Sequence, residues 1–298
     1  MNEQPIEVYN RYTGQIEREQ VLGEGYLRFI YGNPLGKLAL HALVKRAFFS
    51  RWMGWMQDKP ASRKAVEPFI REYGIDMGDF VVPEGGFASF NEFFYRQLAP
   101  GARPVCSGPT VAFPADARHS GWQDASQVEG VFVKGQRFDW RALLGEELAE
   151  RYGNGSVVLS RLCPTDYHRF HFVAAGVPSA PVRIGGPLAS VSPYCLRRRL
   201  AWLWTNKREW NLLETPELGT VLTLAVGATG VGAIFQTYTP GEEVAKGAEQ
   251  GYFAFGGSTI MTFFEPGRVR LAEDLVENTA RQIETFARQG DCMGERIG

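Results

Sequence analysis

Two histidines three positions apart, His168 and His171, follow an aspartate in the segment Leu159-Ser-Arg-Leu-Cys-Pro-Thr-Asp166-Tyr-His168-Arg-Phe-His171. The chain holds only four histidines, His41, His119, His168 and His171, so this clustering needs a cause. Imidazole is the side chain best matched to proton transfer near neutral pH. Beside Asp166, the pair can be acid–base machinery, a metal site, or core residues held by hydrogen bonds. A metal site would lack a third ligand at suitable spacing. Residues three apart share a face on a helix and face opposite ways on a strand. A strand and a proline turn open this segment, so the two histidines are expected to do different jobs.

Two further sites are weaker. In Gly251-Tyr-Phe-Ala-Phe-Gly256-Gly257-Ser258-Thr259, paired glycines before a serine permit a strained turn and leave the Gly257 carbonyl open to a nearby hydroxyl. A plain hairpin turn fits the same letters. In Phe113-Pro-Ala-Asp116-Ala-Arg, Asp116 follows an apolar run and a proline, where a turn residue is the ordinary reading.

Taken together and in this order, the three segments resemble the phosphatidylserine decarboxylases, whose signatures are P-x-D-G, D-Y-H-R-x-H and G-S-T. The matches are Pro114-Ala-Asp116-Ala117, Asp166-Tyr-His168-Arg-Phe-His171 and Gly256-Gly257-Ser258-Thr259. The likeness extends through Asn10-Arg-Tyr-Thr-Gly14, Phe90-Asn-Glu-Phe-Phe94, Arg103-Pro104, Val226 to Gly232, Lys246 to Gly251 and Glu284-Thr285. The sequence departs from the pattern in three places: Ala117 stands where glycine is usual, Gly256 where leucine is commoner, and Phe172 and Val173 follow His171 without the usual nearby proline, which comes only at Pro178. If position 117 needs a positive φ, an alanine there is strained.

The resemblance implies a self-cleaving enzyme. Ser258 would attack the Gly257 carbonyl, form an ester and eliminate to dehydroalanine, whose hydrolysis leaves a pyruvoyl group. The products would be a β chain, 1–257, and an α chain, 258–298. The covalently bound pyruvoyl ketone would form a Schiff base with phosphatidylserine and hold the electrons released with CO2, leaving phosphatidylethanolamine, with no external cofactor and no metal. By the same resemblance, Asp116 would orient His171 as the base toward Ser258, and His168 would serve decarboxylation.

These groups need elements to hold them. The first hundred residues read as helical and basic, with apolar residues at helical spacing from Leu35 to Met56 among Lys37, Lys45, Arg46 and Arg51. Such a helix packs on its own domain or lies in a headgroup layer with Trp52 and Trp55 inserted. Ser62 to Tyr73 is a second helix capped by Ser62, and Phe90 to Leu98 a third. A boundary is expected near residue 100, separating a helical, membrane-associating region, 1–100, from a β-rich catalytic domain, 101–298. Beyond it, short apolar runs predict strands at Val111–Phe113, Val131–Val133, Val157–Leu159, Phe170–Val173, Val182–Ile184, Val221–Val226, Ala233–Tyr238, Tyr252–Phe255 and Ile260–Phe264. Asp139 to Tyr152 and Leu271 to Arg288 read as helices. The fold class is α+β, mostly antiparallel.

A net charge of -1 argues against binding driven by bulk attraction to nucleic acid. The four cysteines lack metal or disulfide spacing, and Met1 to Val8 has no apolar core of a secretory signal. No stretch reads as a membrane span. A peripheral position on the cytoplasmic face of the membrane follows from the resemblance. Its contact surface would be Arg197, Arg198 and Trp202 in the run Cys195 to Arg208, with Tyr167 helping to wall the headgroup. The alternative for that run is a solvated loop with Trp202 and Trp204 in the core. The partners would be the anionic membrane surface and the two chains of one precursor, with a homodimer allowed. Two rivals remain: a soluble pyruvoyl decarboxylase of a free amino acid, and a non-catalytic biotinyl- or lipoyl-like barrel modified at Lys246.

Overall fold

The computed structural model describes residues 6–19, 47–128, 138–197, 199–228, 234–254 and 258–298. The predicted strand Val131–Val133, the start of the helix predicted over Leu35–Met56, His41, Arg198, Gly256 and Gly257 lie outside these residues.

Walking along the chain, β1 (Glu7–Asn10) and β2 (Gln15–Arg18) form a hairpin. Helices α1 (Ala47–Asp58), α2 (Val66–Tyr73) and α3 (Phe90–Phe94) follow. Next come β3 (Thr110–Ala112) and β4 (Ala117–Trp122), then α4 (Trp140–Leu144) and α5 (Glu146–Tyr152). β5 (Val157–Leu162), β6 (Arg169–His171), β7 (Val182–Ile184), β8 (Arg208–Thr215) and β9 (Gly219–Gly227) lead to β10 (Ile234–Gln236) and β11 (Glu249–Phe253). The chain closes with β12 (Ser258–Phe263), α6 (Glu273–Ala280), β13 (Glu284–Ala287) and β14 (Cys292–Arg296).

The largest sheet runs β7-β8-β9-β12-β5-β4-β13-β1-β2, antiparallel except where β1 lies parallel to β13. A smaller sheet, β10-β11-β6, faces it. Side-chain alternation along β12 explains the layering. Met261 and Phe263 join a core with Leu143, Leu148 and Tyr152 of α4 and α5. Ile260, on the opposite face, packs with Leu162, Ala225, Phe170, Ile234 and Phe253 between the two sheets. β12 is buried along its whole length, and each of its large apolar side chains contributes about 1.5–3 kcal/mol.

The α+β reading agrees with this architecture, and each predicted strand on described residues overlaps an observed one, while Ala117–Trp122, Arg208–Thr215 and the strands near both termini were not predicted. Several local expectations change, among them the helix predicted over Phe90–Leu98, which ends at Phe94 while Gln97–Leu98 pairs with Phe80–Val81. Ser258 is not in a turn but opens β12, because its backbone pairs with both Gly227 and Leu162. The helix predicted over Leu271–Arg288 stops at Ala280: Gln282 takes a positive φ of 61°, and Glu284–Ala287 pairs into the sheet. Asp139 caps α4 as expected, accepting from Ala142 N, but Gly145, with φ 86°, divides the segment into two helices. Ser62 is no cap. Its hydroxyl shares its one proton between Gln57 O and Lys59 O and accepts from Phe90 N, tying the α1–α2 turn to α3.

This pairing generates a prediction. The segment 258–298 contributes β12, β13 and β14, each bonded to strands from the first 257 residues. A chain broken before Ser258 should therefore elute as one species from native gel filtration and yield two fragments only in denaturant. Release of the small fragment in native buffer would contradict this reading of the sheet.

Candidate active site

Ser258 is fully buried, and its position in β12 turns its side chain toward the small sheet. The hydroxyl meets the imidazole of His168, Oγ to Nδ1 3.3 Å. His168 reaches this point from a turn at Cys163–Asp166, just before β6. Asp166 N donates to Cys163 O at 2.9 Å, and Cys163 N donates to Asp166 Oδ2 at 2.7 Å. The ring is clamped as well, stacked on Phe94 with centroids 3.8 Å apart.

The geometry fixes the tautomer. His168 Nε2 lies 2.8 Å from the Cys163 carbonyl, which can only accept, so Nε2 carries the proton. Burial lowers the His168 pKa to about 3, so the ring is neutral and Nδ1 offers a lone pair to the Ser258 hydroxyl. A serine whose proton points at a fixed imidazole lone pair, inside a dry layer, is a nucleophile with a base in reach.

His171 occupies a different neighbourhood. Its Nδ1 donates to Gly247 O at 2.9 Å, and its Nε2 accepts from the Tyr167 hydroxyl at 3.1 Å. Burial lowers its pKa. The histidines thus have separate surroundings, as their spacing implied, but the one bonded to Ser258 is His168, where the family likeness had pointed to His171. Asp116 does not hydrogen-bond His171 either. Its carboxylate accepts from Arg103 Nε and Nη2, the latter at 2.8 Å, and from Gln289 N at 2.8 Å. Ala117 is the first residue of β4, and Gln282 is the only non-glycine with positive φ among the described residues, so the alanine carries no left-handed strain.

Behind the Cys163–Asp166 turn lies a buried charge cluster. The Arg161 guanidinium bridges two carboxylates, Glu284 at 2.9 and 2.5 Å and Glu19 at 3.0 and 2.6 Å. Arg118 pairs with Asp166 and, at 3.4 Å, with Glu19. Burial pushes Glu19 up, but Arg161 and Arg118 outweigh it and hold the pKa at about 2. Burial raises the Asp166 carboxyl, with Arg118 opposing it. The sequence carried a signal for this cluster: Arg161 stands among the mostly apolar residues of Val157–Leu162, and an arginine inside a central strand requires a buried partner. Glu284 entered the reading only as part of the family likeness, and Glu19 not at all.

The expected surface residues divide. Tyr167 is buried against His171, and Trp202 belongs to the core beneath α4 and α5, which removes it as an interfacial anchor. Arg208 is also buried, donating to the Ala142 and Leu143 carbonyls. Arg197 is partly exposed, and Arg199, at the surface, lies over the Trp202 ring at 4.5 Å. The exposed tryptophans are Trp52 and Trp55 on α1, beside Met56. Lys246 Nζ donates to Thr110 O and Oγ1, each at 3.1 Å, an anchored position ill-suited to a modified carrier lysine.

Comparison with known proteins adds an independent line. The sequence profile of the phosphatidylserine decarboxylase family matches residues 90–293. The chain is 43% identical over 300 residues to the phosphatidylserine decarboxylase proenzyme of Fusobacterium nucleatum, covering 100% of this chain and 99% of that protein. Proteins of the same name from Chlamydia trachomatis and Desulfitobacterium hafniense strain Y51 are 39% and 38% identical. Those alignments span 97% and 98% of this chain, and 96% and 98% of theirs.

The buried histidines set an acid limit. Burial lowers His119 and His168 to about 3, below the value near 6.5 of an unfolded chain, so the unfolded state binds more protons between those limits. Stability is then fully present above pH 6.5 and is lost as pH falls. Each of these two histidines should lower unfolding free energy by about 2 kcal/mol between pH 7 and pH 5. Urea midpoints at the two pH values measure this, and His119→Gln should reduce the dependence by one histidine's share. A midpoint unchanged from pH 7 to 5 would refute it.

Proposed function

The chain belongs to the phosphatidylserine decarboxylase family, and from that premise we propose that it matures by cutting itself between Gly257 and Ser258 and decarboxylates phosphatidylserine at a membrane surface. As a carboxy-lyase it must hold the electrons left when CO2 departs. A pyruvoyl ketone made from Ser258 would supply that sink. The observation that carries the proposal is the buried Ser258 hydroxyl against the Nδ1 of a neutral His168.

The residues present fit such a group. Attack by Ser258 Oγ needs its proton removed, and His168 Nδ1 is bonded to that oxygen. Elimination and hydrolysis would consume one water and release the nitrogen of residue 258 as ammonia, leaving Gly257 with a carboxylate. His168 would remain beside the converted residue, positioned to handle a proton during decarboxylation. His171 stands apart from this pair: its Nδ1 donates to Gly247 O, the Tyr167 hydroxyl donates to its Nε2, and burial lowers its pKa against the opposing Glu249 and Asp116 charges. The products would be chains 1–257 and 258–298, and the catalytic unit would comprise 101–298 together with the hairpin β1–β2, Glu19 and Phe94, which pack into its sheet and against His168.

Membrane contact would come from the region 1–100. Trp52, Trp55 and Met56 share one face of α1 at i, i+3, i+4 spacing, and all three are exposed. Among the described residues no helix is long and apolar enough to cross a bilayer. That face favours a lipid substrate over a free amino acid. A peripheral seat on the cytoplasmic face accords with it.

Two measurements test the reading. Mass spectrometry of purified protein should show fragments divided before Ser258, with a carbonyl that borohydride or hydrazine traps, and an intact chain in Ser258→Ala. His168→Ala should lose decarboxylation by about 100-fold or more. An uncut parent without a trappable carbonyl, or a fully active His168→Ala enzyme, would sink the proposal. For the surface, Trp52→Ser with Trp55→Ser should reduce co-sedimentation with phosphatidylserine vesicles several-fold while leaving turnover on detergent-dispersed lipid intact. Equal sedimentation would remove the lipid role of α1.

A further inference from the structure

An imidazole that faces a reacting serine is useful only if its lone pair is on the correct nitrogen. Among the described residues, His168 makes one bond that decides this, Nε2 to the Cys163 carbonyl at 2.8 Å. That carbonyl sits in a four-residue turn, and nothing in an unsupported turn would hold it still. Its support is Asp166, whose side chain accepts from Cys163 N at 2.7 Å while its own N–H donates to Cys163 O at 2.9 Å. One residue therefore grips both the N–H and the carbonyl of Cys163, the residue that reads the His168 tautomer.

Asp166 is itself held from behind. Arg118, on β4, donates to the same oxygen that accepts from Cys163 N. Arg118 also faces Glu19, which shares the Arg161 guanidinium with Glu284. Truncating one member of such a buried set leaves an uncompensated charge rather than a harmless gap.

We propose that Asp166 is a positioning residue for the reaction: with Arg118 and Glu19 behind it, it fixes the Cys163 carbonyl, and through that carbonyl the proton of His168 stays on Nε2 and its lone pair stays aimed at residue 258. Asp166 does not touch the reacting atoms. Its loss lets the ring flip or shift its proton, which takes the base out of line. A misplacement of about 1 Å at such a site costs on the order of 100-fold in rate. The proposal rests on the reading of Ser258 as the reacting group, but it makes a claim that can be checked without turnover.

The check uses uncut Ser258→Ala protein labelled with 15N-histidine, in which a chain with four histidines gives few imidazole signals. His168, identified by its disappearance in His168→Gln, is expected as one neutral form protonated at Nε2. Adding Asp166→Ala should give a mixture of both neutral forms, whereas Asp166→Asn, whose side-chain oxygen still accepts from Cys163 N, should keep the parental spectrum. Arg118→Gln, which leaves Asp166 in place, should move the spectrum in the same direction by less. In the processed enzyme, turnover per trapped carbonyl should fall about 100-fold in Asp166→Ala and less than about tenfold in Asp166→Asn, with KM within about twofold. A parental His168 spectrum in whichever of Asp166→Ala and Arg118→Gln folds would overturn the proposal. A parent with no trappable carbonyl defeats the functional reading instead, and the spectrum still decides this one.

Discussion

The carbonyl oxygen of Cys163 governs the site because it has one thing to offer His168, a place to accept a proton. Held 2.8 Å from Nε2, it leaves Nδ1 bare toward the Ser258 hydroxyl. In water the two neutral tautomers of imidazole exchange freely, so this assignment is a property of the fold. It requires a dry layer between two sheets, a serine fixed at the head of a central strand, and a turn that cannot swing. Each is supplied by a different part of the chain. β12 is paired on both edges, β6 brings the turn to the opposite layer, and Phe94 of α3 closes the ring's exposed face.

Burial has opposite consequences for the groups it covers. For the histidines it favours the neutral ring, which is the state a base must have, and so the electrostatic cost of the layer is aligned with the chemistry. For carboxylates and guanidinium groups burial is adverse, and the structure answers with pairs. Arg161 has two carboxylates, Arg118 has Asp166 and Glu19, and Arg103 has Asp116 and Asp79. Such pairs add little net stability over apolar packing of similar volume, but losing one partner leaves the other charge buried and uncompensated. The most central of them, Arg161 on β5, fixes β5 against the segment that follows Ser258.

Much of this was legible in the letters. The separate surroundings of His168 and His171 accord with a spacing of three beside a strand, and the β-branched and aromatic runs located eight strands, including the buried ones on either side of Ser258. What failed had physical causes. Alternation in Leu271–Arg288 gave a helical period, yet Glu284–Ala287 became a strand because Arg161, Asn278 and β4 lie where it can pair. The run Cys195–Arg208 looked like a basic, tryptophan-rich surface because composition does not reveal which side of a short helix faces the core. Trp202 went inward and the exposed aromatic face appeared on α1 instead. Asp116 sat beside His171 in the family likeness, but its hydrogen bonds go to Arg103, whose own position depends on a contact with Asp79 that no local pattern encodes.

Both ends of the chain converge on the same strand pair, and this bears on how the fold would withstand the proposed cut before Ser258. β13, near the C-terminus, lies between β4 and the N-terminal β1, and Glu284 at its head shares Arg161 with Glu19 at the end of the N-terminal hairpin. A break before Ser258 removes one covalent link from a segment already held by three strands and a buried guanidinium. The entropy released by that break is resisted by contacts whose partners lie on the other side of the cut. The arrangement would therefore let the peptide bond before Ser258 break without loosening the layer that buries His168, and a strained or mobile scaffold would not.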